Sequence, residues 1–109
     1  MPFRLLARKV VGFASLLTGT TNITTAAYVQ LVASLPGTIE AIQFYNGSTS
    51  TLALASGASG SETNEVLLGP GLSDIIPVET LFPKGSRMSV IAVDTTASAG
   101  TLAINFLSG

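Results

Sequence analysis

The chain has 109 residues, enough for one hydrophobic core and too few for two. Of these, 47% are hydrophobic and only 10% charged, against a usual charged share of about 25%, so intrinsic disorder is excluded. His, Cys and Trp are absent, which removes imidazole and thiol catalysis, disulfides and cysteine–histidine zinc sites together.

Charge is distributed unevenly. Arg4, Arg8 and Lys9 give residues 1–9 a charge of +3, whereas Lys84 and Arg87 set against all six acids leave the remainder at −4. Apolar Phe3, Leu5, Leu6 and Val10 alternate with these cations and gain nothing from water. Residues 1–20 are therefore expected to form a basic and apolar arm, and residues 21–109 the domain. Phe3, Arg4, Leu5, Leu6, Arg8, Lys9 and Val10 are its candidate partner-binding residues. Residues 10–17 imitate the apolar part of a secretory signal, but the block is short and broken by Gly12, so a cleaved signal is not expected. No apolar run reaches the ~18–20 residues of a membrane span. Within residues 3–17 a helix is weakened by Gly12 and by Val10-Val11, leaving an extended arm or a first strand.

Further along, residues 26–34 read as a strand stopped by Leu35-Pro36-Gly37. Residues 38–45 are rich in β-branched and aromatic types and end at Asn46-Gly47, after which Leu52 and Leu54 alternate on one face. The pattern predicts a hairpin. On this reading Tyr45 shares a face with Ile39 and Ala41 and belongs to the core or an interface. Residues 56–61 form a Ser/Gly stretch without the GK[ST] ending of a phosphate loop, and read as a surface loop. Residues 65–68 and 72–78 are shorter strands, Pro77 belonging at an edge or bulge. Residues 87–94 and 101–107 predict a second hairpin, with Leu102, Ile104 and Phe106 facing the core. Seven or eight short strands between frequent turns indicate an all-β, antiparallel two-sheet sandwich, jelly-roll-like.

Chemistry is sparse. Lys84 with Ser86, and the carboxylate pairs Glu62 with Glu65 and Asp74 with Glu79, are the arrangements available for catalysis, and each reads better as surface charge. No acidic run resembles a calcium loop. The expectation is a non-enzyme with no catalytic residues, metal or cofactor. The acidic body argues against nucleic acid. A carbohydrate module would need to stack sugars on Tyr28 or Tyr45. Asn22-Ile23-Thr24 and Asn46-Gly47-Ser48 match the glycosylation sequon. The excess of small apolar residues over charged ones predicts a surface that is covered, in a homo-oligomer or a larger assembly.

Residues 81–93, Leu-Phe-Pro-Lys-Gly-Ser-Arg-Met-Ser-Val-Ile-Ala-Val, are followed at 97–106 by Ala-Ser-Ala-Gly-Thr-Leu-Ala-Ile-Asn-Phe. This half resembles small virion proteins of tailed bacteriophages, in which a Gly-Ser-Arg turn feeds a strand and a small-residue loop leads to a final Leu-x-Ile-Asn-Phe strand. Residues 35–54 are similar to them too. The likeness covers residues 28–107 and leaves residues 1–20 outside. It implies a β-sandwich subunit of the virion, with no catalytic signature. Two stations follow. One is a capsid decoration or cement protein, a trimer whose arm and sheet edges bridge major capsid subunits. The other is a tail or head–tail accessory protein, an adaptor, ring or fibre anchor. The domain's size and its lack of a fibre-like repeat favour decoration.

Overall fold

The computed structural model describes residues 9–17, 22–78, 80–98 and 100–108, the side chains of Lys9, Leu16 and Leu17 excepted. Among the described residues every regular element is a strand: β1 (Lys9–Leu17), β2 (Val29–Val32), β3 (Ala41–Asn46), β4 (Leu52–Ser56), β5 (Thr63–Leu68), β6 (Gly71–Leu72), β7 (Ile76–Pro77), β8 (Met88–Ala92) and β9 (Thr101–Ser108). They form two antiparallel sheets. The first runs β1-β9-β3-β6, with β7 also pairing β3; the second runs β2-β8-β4-β5. The pairs are nested in the sequence: β1 with β9, β2 with β8, β3 with β6 and β7, β4 with β5.

Alternation places one face of each strand inward. Ile42, Phe44, Leu102, Ile104 and Phe106 from the first sheet meet Leu52, Leu54, Leu68, Met88 and Val90 from the second, with Phe82, Leu35 and Ile23 closing the ends. Each large side chain so buried contributes about 1.5–3 kcal/mol. The inward faces expected for residues 52–54 and 102–106 are those observed. Pro77 lies on the short outer strand β7, where its missing N–H costs no ladder bond.

Both predicted hairpins are replaced by crossings between sheets. β3 and β4 lie in different sheets, as do β8 and β9. Alternation reports which face of a strand is buried, and that face is the same whether the next strand pairs beside it or packs opposite. Asn46-Gly47 does not make the primed turn that the pair suggests, because neither residue adopts positive φ. Gly47 instead permits close backbone approach: its N–H donates to Thr101 O at 2.8 Å, and a Cβ on Gly100 would lie 2.4 Å from Gly47 O. The strand expected over 26–34 is limited to Val29–Val32. The hairpin between neighbours that does form is β4–β5, whose loop contains the 56–61 stretch with Gly57 and Gly60 at positive φ.

The two crossings stack at one end of the sandwich. Asn46, 2% exposed, donates from Nδ2 to Ser50 O (2.8 Å) and Leu68 O (2.9 Å) and accepts from Ser48 N–H and Ser48 Oγ. Its sequon is thus closed to modification. Asp94, from the other crossing, accepts from Thr51 N–H through both carboxylate oxygens and from Thr95 N–H. Ser50 Oγ and Thr95 Oγ1 lie 2.9 Å apart, and Ile23 and Ala97 form a two-way bridge.

Replacing Ile104 by Ala should cost about 2–5 kcal/mol in urea unfolding. Asn46→Ala strands two buried carbonyls and should cost about 1–3 kcal/mol, whereas Tyr45→Ala should change stability by less than about 0.5 kcal/mol.

Candidate association surface

The two sheets present different outer faces. On the first, register sets Phe13 beside Asn105 and Gln43, and Ser15 beside Ala103, Tyr45 and Leu72. A further row runs Val10, Leu107, Ala41 and Pro77. None of these rows contains an acidic or basic side chain, and Phe13 is 59%, Tyr45 48% and Leu72 73% exposed. Tyr45 therefore stands on the outer face and not in the core, because Ile42, Phe44 and Asn46 take the inward positions of β3.

The second sheet closes its outer face with polar bonds. Tyr28 Oη donates to Asn64 Oδ1 at 2.7 Å, joining the two edge strands of the order β2-β8-β4-β5 across Ser89 and Ala55, which are fully buried. Arg87 donates to Gln30 Oε1 and pairs with Glu62 at 2.9 Å. Leu67 remains exposed on β5. Hydrogen bonds from its own backbone amide, then the Arg87 guanidinium and the Gly60 amide, hold the Glu62 carboxyl below its usual 4.5. The Thr95 and Thr51 amides hold Asp94 below its usual 3.8.

The edges differ as well. β6 and β7 are two residues each and include Pro77; β2 has four residues and a register shift; β5 is flanked by Glu62 and contains Glu65. Such features blunt an edge against pairing. β1 has none beyond a register shift between Val10 and Gly12: it runs nine residues, its only ionisable residue is Lys9, and among the described residues β9 is its one neighbour.

Beside β1, where the two sheets part, lies an open apolar groove of about 480 Å³. Val11, Gly12 and Phe13 form one wall, Leu35, Pro36 and Gly37 the other, and Phe106 and Ile39 the floor. Gly12 makes room for Phe106, since a Cβ there would lie 2.9 Å from its ring. No lining residue is charged.

Of the residues expected to bind a partner, Phe3, Arg4, Leu5, Leu6 and Arg8 lie outside the described residues. Lys9 opens β1, its backbone paired to Ser108, and Val10 is 56% exposed beside it. Of the residues assigned to the arm, Lys9–Leu17 form a strand of the sheet. The groove's far wall and floor escaped sequence reasoning because they come from residues 35–39 and 106. Among the described residues no three or more of His, Cys, Asp and Glu converge as a metal site, and no helix is long and apolar enough to cross a membrane. Ser86 Oγ donates to Pro83 O, Lys84 is exposed, Glu65 accepts from Ser56 Oγ, and Asp74 is exposed; Glu79 lies outside the described residues. Tyr28 and Tyr45 stand on different sheets, so they do not form one sugar platform. No protein-family model and no curated protein matches the chain.

Because both carboxyls titrate lower when folded than their usual values, their contribution is complete above about pH 5 and disappears as pH falls through the depressed folded values. The urea midpoint should be flat from pH 7 to about 5 and then drop, and Asp94→Asn or Glu62→Gln should lower the midpoint at pH 7 while shrinking that acid drop.

Proposed function

We propose that this chain is a non-enzymatic structural subunit of a tailed-bacteriophage virion: a capsid decoration protein that stabilises the head by burial against its neighbours. The observation that carries the reading is the uncharged outer face of β1, β9 and β3, continuous with the unblunted edge of β1. Covering that face gains about 25 cal/mol per Å² of apolar surface, and no desolvated charge opposes it within the paired rows. The free edge adds main-chain hydrogen bonds to whatever pairs with it. The subunit associates with itself, as a trimer, and with the major capsid protein, through this surface and the segment before β1.

The nested strand pairs support a finer description of the sandwich as a jelly roll, in which one long antiparallel ribbon is wrapped so that its two ends and its middle share two sheets. Jelly rolls recur in capsid domains, and that recurrence adds support by analogy alone. The likeness of residues 28–107 to small virion proteins points the same way.

The test is the copy number of the chain relative to the major capsid protein in purified virions, by quantitative mass spectrometry. Near-stoichiometric abundance is expected. A small fixed number of copies would move the subunit to the tail or head–tail junction, and absence would remove the virion reading. Since β1 begins at Lys9, deleting residues 1–8 should leave the sandwich folded by circular dichroism yet reduce incorporation into particles at least tenfold; undiminished incorporation would show that the segment plays no part.

A further inference from the structure

We propose that residues 1–8 of a second copy of this chain lie as an added strand along the free edge of β1, with Phe3 and Leu5 entering the apolar groove. The inference rests on the assembly reading above and names its first partner. In an extended segment Phe3, Leu5 and Ala7 share one side, and Arg4, Leu6 and Arg8 the other. Apolar side chains then face a groove without charged lining while both arginines stay in water. Half of the main-chain groups of β1 point away from β9 and are open to an incoming strand.

The donor is a neighbour and not the same chain for a geometric reason. Lys9 and Val10 are already held in register with Ser108 and Leu107. A segment folding back along its own β1 would have only Ala7 and Arg8 with which to turn, and a two-residue hairpin requires the positive φ that Gly, Asn or Asp supply. Leaving β1 without that turn, residues 1–8 reach up to about 28 Å, enough to arrive at the groove of an adjoining subunit.

The chain contains no cysteine, so engineered thiols give an unambiguous readout. Leu5→Cys and Gly37→Cys are made separately; a Cβ at Gly37 meets nothing within 4 Å, so the substitution fits. The two purified proteins are mixed in equal amounts, oxidised and resolved by non-reducing electrophoresis and mass spectrometry. The expected result is a mixed Leu5→Cys/Gly37→Cys disulfide dimer well above the half of all dimers that random pairing yields. Random proportions, or no mixed dimer, would overturn the proposal. So would a monomeric internal disulfide in the double variant, which would mean that the segment folds onto its own groove. The purified chain alone is used, so this result and the copy number in virions fail independently.

Discussion

The carboxamide of Asn46 sits where the chain leaves one sheet for the other, and the architecture turns on it. A β-sandwich built from nested pairs must cross between its layers, and each crossing removes backbone groups from a ladder while keeping them out of water. Asn46 supplies two donors and an acceptor to Ser50, Leu68 and Ser48, so the β3–β4 crossing closes with its buried polar groups paired. Asp94 does the same for the β8–β9 crossing from the surface side, binding the amide of Thr51 at the foot of β4. With both crossings fixed at one end, the inner faces of the two sheets meet in register, and Leu54, Val90, Ile104 and Phe44 can be buried together.

The same arrangement makes the outer faces unequal. The second sheet places Tyr28, Asn64, Arg87, Gln30 and Glu62 where they bond to one another over small residues, which covers much of that face from within the chain. The first sheet has only small, amide and apolar groups outward, and its β1 edge lacks the prolines, acids or short strands that blunt the others. A chain of this size with so few charges leaves one side wet and gives the other to a partner. Gly12 connects that side to the core: without a side chain there, Phe106 forms both the edge of the core and the floor of the groove.

Much of the fold was legible in the sequence, since strands announce themselves by alternation. Leu102, Ile104 and Phe106 face inward as their spacing requires, and Pro77 sits at an edge as its missing donor requires. Pairing was not legible, because a hairpin and a crossing use the same alternating faces. Asn46-Gly47 misled for a specific reason: its side chain and its small size serve a buried corner rather than a tight turn. Tyr45 misled because Ala41, on the same parity, is buried by its neighbours while Tyr45, further along the strand, is not. The basic, apolar start pointed toward a partner surface, and Val10 stands beside it. The groove itself joins residues 11–13, 35–39 and 106, a juxtaposition that only the pairing of β1 with β9 creates.

The central claim is that the uncharged face of the first sheet is an association surface, and the molar mass of the purified chain by sedimentation equilibrium tests it most directly. The account predicts a mass that is a multiple of 11.1 kDa at micromolar concentration, reverting to a single 11.1 kDa chain with unchanged circular dichroism when Phe13 and Tyr45 are replaced by Lys. A monomer before any substitution, or an oligomer indifferent to both lysines, would contradict it.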